Sequence, residues 1–138
     1  MGKPFQTLSI YEIEQLNKHA VINFGGLFSP EKGNFHNRES LEYILEACIF
    51  PIFGESRYKT IYEKISAIVH TIICNHVFHD GNKRTGLAVT IALLTMNGYS
   101  FVPTKEDEDF FVRIASEQLS IEEISAWLQQ RSRLLPIK

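Results

Sequence analysis

Apolar residues recur along this chain at the three- and four-residue spacing of amphipathic helices. The clearest stretch ends near Asn75 and has its apolar positions at Ile61, Ile65, Ile68, Val69, Ile72 and Ile73. A later stretch, RTGLAVTIALLTMNG, is apolar nearly all the way round and predicts a buried central helix that ends at Gly98. No segment alternates convincingly between apolar and polar positions, so we expect an all-α fold.

Polar residues that commonly start helices predict four more helices. Their side chains accept hydrogen bonds from the free N–H groups of a helix's first turn. The first helix is expected to run to about Asn23, and the last to include ISAWLQQRSRLL. FGGLFSPEKGNFHN is expected to be a loop, and PIFGESRYK a turn or short hairpin. The predicted caps are Ser9, Asn37, Thr104 and Ser120, with Glu12 and Glu123 completing capping boxes at Ser9 and Ser120.

The length of 138 residues suits one domain with its own core, and we expect residues 1–138 to form a single domain. A net charge of −2 argues against bulk electrostatic binding to nucleic acid or to an anionic membrane. Cys48 and Cys74 lack zinc-type or redox spacing, and no apolar run reaches membrane-spanning length. The N-terminus shows no signal-peptide core, so we expect a cytoplasmic protein.

A polar segment, HVFHDGNKRTG (residues 76–86), separates two of the apolar helices. A helix N-terminus has unpaired N–H groups and a partial positive charge, so it favours an anion. Gly81 lets the backbone turn, and Asn82 tolerates a left-handed conformation. Lys83 and Arg84 add positive charge, and Arg84 can hold phosphate oxygens bidentately. The segment therefore predicts a phosphate-binding nest.

Two residues of this segment have chemical roles that the residue types alone leave open. Asp80 can cap the following helix, or it can bind Mg²⁺, which needs few protein carboxylates when phosphate oxygens share its coordination. His76 can act as a general base for a hydroxyl nucleophile, or it can be a structural residue at a helix end. Phe78 is expected to anchor the loop on the core, and His79 and His70 to be structural or exposed.

The segment HVFHDGNKR resembles the signature of the Fic/Doc family, His-x-Phe-x-Asp/Glu-Gly/Ala-Asn-Gly/Lys-Arg. The resemblance covers about residues 8–134 and is closest to the short death-on-curing (Doc) branch, an all-α helical bundle. It implies that ATP and Mg²⁺ bind here, with His76 deprotonating the hydroxyl of a target and Asp80 holding Mg²⁺ on the nucleotide phosphates. It also implies an anion hole formed by Gly81, Asn82, Lys83 and Arg84, and a target-docking flap that includes Pro51, Ile52, Phe53 and Gly54.

Two departures from the AMP-transferring branch favour phosphoryl transfer. Those enzymes resemble GNGRxxR, whereas this chain reads GNKRTGL, with Lys83 in place of a glycine and Leu87 in place of the last arginine. Doc-type members share both departures and resemble protein kinases that bind ATP in a reversed sense. We therefore expect a toxin-type kinase that transfers the γ-phosphate of ATP to a hydroxyl of a target protein such as elongation factor Tu, which inhibits translation.

Two alternatives keep the same fold. The first is Fic-type AMP transfer. The second is a non-catalytic Fic/Doc-fold binding protein, which Cys74 and Asn23 would favour because they stand where basic residues would help to bind phosphate. The family's self-inhibitory helix, of the form Ser/Thr-x-x-x-Glu-Gly/Asn, has no match in the sequence. The resemblance therefore implies a separate antitoxin, which we expect to bind as a helix in a groove.

A third alternative is an all-α metal-dependent phosphohydrolase of the HD type. Its ligands would be His70, His76 and the pair His79–Asp80, with a distant carboxylate from Asp107 or Asp109. These two aspartates belong to a KEDED run that we expect to be an exposed helix N-terminus, favoured by the helix dipole. The HD alternative also leaves residues 81–84 without a role.

Overall fold

The computed structural model describes residues 4–23, 34–50 and 56–136. Within these ranges the chain forms six α-helices and a two-stranded antiparallel sheet. The elements are α1 (Ile10–Asn23), α2 (Arg38–Ile49), α3 (Ile61–Cys74), α4 (Asn82–Met96), β1 (Tyr99–Ser100), α5 (Lys105–Ser116), α6 (Ile121–Arg131) and β2 (Arg133–Leu134). The all-α prediction is confirmed. Among the described helices, none has the length and apolar character needed to cross a membrane.

The predicted helix starts are confirmed by hydrogen bonds at each cap. At α1, Ser9 Oγ accepts the N–H of Glu12 at 3.1 Å, and the Glu12 carboxylate accepts the N–H of Ser9 at 2.9 Å. The side chains of Asn37, Thr104 and Ser120 accept in the same way at α2, α5 and α6. These bonds satisfy N–H groups that have no partner inside the helix, so each start is fixed locally.

Helices α3 and α4 form the centre of the fold. Helix α3 packs against α2, α4, α5 and α6, and α4 packs against α1, α3 and α5. Gly86 allows the close approach of α4 to α3, because a Cβ there would lie 2.7 Å from Cδ1 of Ile73. The body of α4 is buried at Thr85, Val89 and Leu93, whereas its first turn is accessible to solvent. The polar segment between α3 and α4 therefore sits at the edge of the core.

The end of the chain differs from the sequence expectation, which continued the last helix through Leu135. Helix α6 ends at Arg131, and the hydroxyl of Ser132 donates to the carbonyl oxygen of Leu128 at 2.8 Å. Strand β2 then pairs with β1, and the N–H of Leu135 donates to the carbonyl oxygen of Gly98 at 2.9 Å. The backbone is already extended at the C-cap Ser132, with φ −105° and ψ 159°, and Pro136 disfavours helical backbone only at Leu135. Strands of two residues are too short to show alternation in the sequence.

Asp107 is also placed differently from the expectation of an exposed acidic run. Its side chain is 5% exposed, and both carboxylate oxygens bond the Arg131 guanidinium, at 2.9 and 2.7 Å. The carboxylate also accepts the N–H of Thr104 at 2.9 Å in a capping box. The hydrogen bond from Arg131 is the main reason that the pKa of Asp107 is lowered. The expectation was wrong because the arginine lies on a different helix.

Candidate functional site

The polar segment between α3 and α4 borders an open cleft of about 350 Å³. Its walls include every predicted catalytic, metal-binding and phosphate-binding residue, together with Ile73, His79 and Ala115. The fold therefore brings the predicted residues of segment 76–84 into one cavity. His79, expected to be structural or exposed, is exposed and also lines the cleft. The predicted docking flap, Pro51, Ile52, Phe53 and Gly54, lies outside the described residues.

The N-terminus of α4 has the features of an anion site. The helix begins at Asn82, two residues earlier than the sequence pattern suggested, so Lys83 and Arg84 belong to its first turn. Its N-cap is Gly81, which has φ +77° and no side chain to bond the first-turn N–H groups. The first turn contains no acidic residue, and cations there oppose the helix dipole unless an anion is bound. This arrangement can hold a phosphate group.

Asn82 has a different conformation from the one expected. It is helical, and the left-handed residue of the turn is Gly81. The Asn82 side chain bonds the backbone of Phe78 instead, accepting its N–H at 2.9 Å and donating to its carbonyl oxygen at 2.8 Å. Phe78 is fully buried and stacks on Phe35 at a centroid distance of 4.9 Å, as expected for an anchor. The Asn82 side chain therefore shapes the segment, and its backbone N–H remains in the first turn of α4.

His76 is held in a left-handed backbone conformation, with φ +49°. It follows the C-cap Asn75, and the N–H of Val77 donates to the carbonyl oxygen of Ile72 at 3.2 Å, which is the bond of a Schellman motif. Glycine is the usual residue at this position, because a side chain costs about 1–2 kcal/mol there. The imidazole is exposed and lines the cleft. Sequence patterns locate the helix end but do not reveal this strain.

Asp80 precedes the N-cap of α4, so it is not the cap residue itself. Its Oδ1 accepts the N–H of Gly81 at 2.8 Å, and its side chain is exposed to the cleft. Mg²⁺ retains waters and needs few protein ligands when phosphate oxygens are present. A single carboxylate beside a helix end that can hold a phosphate therefore fits Mg²⁺.

The HD-type alternative finds no support in the described ranges. No group of three or more histidine, cysteine, aspartate or glutamate side chains there is arranged to hold a metal ion. Asp107, one of the two candidates for its distant carboxylate, is bonded to Arg131. The HD alternative also leaves residues 81–84 without a role, whereas these residues line the cleft.

Two buried asparagines, which the sequence analysis did not identify, bond the backbone of the polar segment from the core side. Asn17 on α1 is fully buried, and its side-chain amide donates to the carbonyl oxygen of Asp80 at 2.8 Å. The Asn34 amide donates to the same oxygen at 3.2 Å. The signal available in the sequence was an asparagine at a position on the apolar face of the predicted first helix. Its partner could not be identified, because it lies 63 positions away.

Asn23 and Cys74, which stand where basic residues would help to bind phosphate, are not among the residues that line the cleft. Asn23 is exposed at the end of α1. Cys74 is half-buried, and its Sγ donates to the carbonyl oxygen of Ile114 on α5 at 3.7 Å. Burial raises the pKa of this thiol, so it remains protonated at neutral pH. Cys74 therefore supplies neither a positive charge nor a thiolate.

Comparison with known proteins agrees with this geometry. The sequence model of the Fic/DOC family matches residues 7–94, from the start of α1 through most of α4. Toxin Doc from Mycolicibacterium smegmatis is 28% identical over 80 residues, an alignment that covers 56% of this chain and 62% of that protein. The matched region therefore spans less than two thirds of the relative's length. The family match covers more than half of the chain and includes the whole polar segment, and the chain belongs to the Fic/Doc family.

Proposed function

We propose that the cleft binds ATP with Mg²⁺ and transfers the γ-phosphoryl group to a hydroxyl side chain of a target protein. One observation carries this proposal. The N-terminus of α4 has no side-chain cap, carries Lys83 and Arg84 in its first turn, and opens on the same cleft as His76 and Asp80. A triphosphate fits the helix end, and a proton acceptor and a metal ligand stand beside it.

The chemistry follows from these positions. His76 takes the proton of the attacking hydroxyl, whose oxygen forms a bond to the γ-phosphorus. The bond from that phosphorus to the β–γ bridging oxygen breaks, and ADP leaves. Asp80 would hold Mg²⁺, which would neutralise charge on the phosphate oxygens. The first-turn N–H groups of α4, Lys83 and Arg84 stabilise the negative charge of the transferring group, so catalysis consists mainly of positioning and electrostatics.

Lys83 is the residue that favours the γ-phosphate over AMP. It is exposed on the cleft wall in the first turn of α4. The pattern of the AMP-transferring family members has a glycine at this position. A lysine side chain crowds a diphosphate held at that position and pairs instead with the terminal phosphate. Leu87, half-buried on α4, replaces the arginine that would clamp a further phosphate. Both features support ATP bound in the orientation opposite to that of the AMP-transferring enzymes, and hence phosphoryl transfer.

The biological setting is part of the same proposal. The similarity to Toxin Doc supports a toxin-type protein that is controlled by a separate antitoxin. The family resemblance makes a translation factor such as elongation factor Tu the leading target, and phosphorylation of it would inhibit translation. We place this activity in the cytoplasm, where ATP and such a target are available.

The test is a transfer assay with ATP that carries label either in the γ-phosphate or in the α-phosphate. Each ATP is incubated with Mg²⁺, a bacterial lysate and the wild-type protein. We expect a protein band that is labelled only from the γ position. Label from the α position would contradict phosphoryl transfer and would show AMP transfer. No band from either ATP would contradict both transfer activities and favour the non-catalytic alternative.

The variant Lys83→Gly tests why the γ-phosphate is chosen. If the lysine sets the nucleotide orientation, this variant transfers less γ-label and gains some α-label. Thr90→Val is the control, because Thr90 is buried on the same helix and its hydroxyl donates to the carbonyl oxygen of Gly86 at 2.8 Å. Unchanged γ-transfer by Lys83→Gly would overturn the role assigned to Lys83.

A further inference from the structure

Asn17 is an unusual residue for its position in the fold. It is fully buried on α1, on the helix face that also buries Ile13, Ala20 and Val21. A buried amide without hydrogen-bond partners destabilises the fold by about 1–3 kcal/mol. The partners of the Asn17 amide therefore indicate its structural role. Nδ2 donates to the carbonyl oxygen of Asp80 at 2.8 Å and to the hydroxyl of Thr85 at 3.0 Å.

Asn34 completes this buried network. Its side-chain amide donates to Oδ1 of Asn17 at 3.0 Å and to the carbonyl oxygen of Asp80 at 3.2 Å. Asn34 is 5% exposed, and its own carbonyl oxygen accepts the N–H of His79 at 2.9 Å. The segment before α2 and helix α1 therefore converge on one peptide group, the one that joins Asp80 to Gly81.

The orientation of that peptide group fixes the carboxylate of Asp80. In a planar trans peptide the C=O and N–H bonds point in opposite directions. The C=O of Asp80 points at the buried amides of α1 and Asn34, so the N–H of Gly81 points the other way. There it is accepted by Oδ1 of Asp80 at 2.8 Å. The chain of bonds from Asn17 thus ends on the side chain that we assign to Mg²⁺.

Close packing makes this coupling stiff. A Cβ on Gly81 would lie 2.9 Å from Cγ2 of Val21 and 3.2 Å from Nδ2 of Asn17, so α1 rests directly against the turn. The bond from Asn17 to Thr85 also ties α1 to the first turns of α4. The turn and the start of α4 are therefore held by the same side chain.

We propose that Asn17, with Asn34, is a positioning residue that holds the Asp80–Gly81 peptide so that the Asp80 carboxylate can bind Mg²⁺ with ATP. This role rests on the proposed function, in which Asp80 is the metal ligand. Asn17 is fully buried and is not among the residues that line the cleft, so it acts through the peptide group. Loss of a residue that orients a metal ligand typically weakens metal binding by about 10–100-fold.

The first experiment measures the affinity of the whole chain for ATP by calorimetry, with Mg²⁺ and with EDTA. The variants are Asn17→Leu, which keeps the size but removes the amide, and Thr85→Val, a milder change in the same network. The control is Thr90→Val, because its hydroxyl lies on the same helix outside the network. We expect Asn17→Leu to weaken binding about tenfold or more with Mg²⁺ and much less with EDTA. Thr85→Val should follow in the same direction, and Thr90→Val should bind as the wild type does.

A second readout needs no nucleotide. Amide hydrogen exchange is measured across residues 78–85, which include the N–H of Thr85 that donates to the carbonyl oxygen of Gly81 at 2.8 Å. Exchange there should become faster in Asn17→Leu, or in Thr85→Val if the first variant does not fold, and should stay unchanged in Thr90→Val. Unchanged exchange, or an unchanged ratio of the affinities with Mg²⁺ and EDTA, would overturn the positioning role. A wild-type protein that binds no ATP would contradict the proposed function instead, and hydrogen exchange would still decide the role of Asn17.

Discussion

The side-chain amide of Asn82 bonds both backbone polar groups of Phe78, four residues before it, at 2.9 and 2.8 Å. This closes the polar segment between α3 and α4 into a fixed turn. At the C-terminal end of α4, the Asn97 side chain likewise accepts the N–H of Gln6 at 2.9 Å and donates to its carbonyl oxygen at 2.8 Å. Among the residues that the structure describes, one such clasp therefore lies at the cleft and one lies outside it.

Asn82→Ala should destabilise the protein and also impair transfer. Two hydrogen bonds to the backbone are lost, which corresponds to about 1–3 kcal/mol of unfolding free energy. The turn then no longer holds His76 and Asp80 in fixed positions. Chemical denaturation measures the first effect, and the γ-label assay measures the second.

Asn97→Ala is the control: it loses the two bonds to Gln6 and the bond from its amide to the carbonyl oxygen of Leu93 at 2.8 Å, so it should lose at least as much stability while transfer remains. Equal transfer by the two variants would show that the Asn82 clasp has no role in the site.

His76→Gly should make the protein more stable while abolishing transfer. Glycine removes the left-handed strain of about 1–2 kcal/mol, but it also loses more entropy on folding, about 0.5–1 kcal/mol. The net gain is therefore between zero and about 1.5 kcal/mol, and thermal or chemical unfolding measures it.

Gln118→Gly provides the control for this change. Gln118 has φ +50° at the end of α5 and is exposed, and the N–H of Leu119 donates to the carbonyl oxygen of Ile114 at 3.2 Å in the same motif. The same gain in stability is expected there, with transfer retained. Loss of stability in His76→Gly alone would mean that the imidazole is a structural residue and would contradict its assignment as the base.

Gly81→Ala should destabilise more than Gly98→Ala. Both glycines have positive φ, +77° and +90°, so both variants incur backbone strain of about 1–2 kcal/mol. Only at Gly81 does the added methyl group meet α1, at 2.9 Å from Val21. The difference in unfolding free energy between the two variants isolates this contact. Equal losses would show that α1 can move away from the turn, which would weaken the case for a stiff site.

The ion pair between Asp107 and Arg131 should make stability depend on acid pH. The hydrogen bond from Arg131 lowers the pKa of Asp107 in the folded protein. The pair therefore stabilises the fold fully at pH values above the ordinary carboxyl pKa of about 3.9. Its contribution is lost as the pH falls further and passes the lowered pKa of Asp107 in the folded protein. The wild type should exceed Asp107→Asn in stability at neutral pH, and the difference should shrink below about pH 4. Asp109→Asn, which changes the same charge at an exposed position, is the control; a difference that stays constant at acid pH would contradict the assignment.

The sequence was most informative where structure is local. The caps at Ser9, Asn37, Thr104 and Ser120 lie within three residues of the N–H groups they bond, so residue types alone identified them. The cleft residues of segment 76–84 were found for the same reason, because they are nearly consecutive. The family resemblance then assigned them roles that spacing alone left open.

The features that the sequence did not reveal depend on distant partners or on backbone angles. Asp107 meets Arg131 across 24 positions, and Asn17 meets Asp80 across 63. The left-handed angle at His76 has no signal in residue type, because a histidine there occupies a glycine position. Pairing of β1 with β2 depends on how α6 ends, which periodicity does not predict.

The most direct test of the cleft as a kinase site is a crystal structure of His76→Ala with ATP and Mg²⁺, in which transfer is blocked. The kinase assignment predicts Mg²⁺ on the Asp80 carboxylate, with the γ-phosphate at the first turn of α4 beside Lys83 and residue 76. An α-phosphate next to residue 76 would contradict phosphoryl transfer and favour AMP transfer. A nucleotide bound away from this cleft would contradict the site itself.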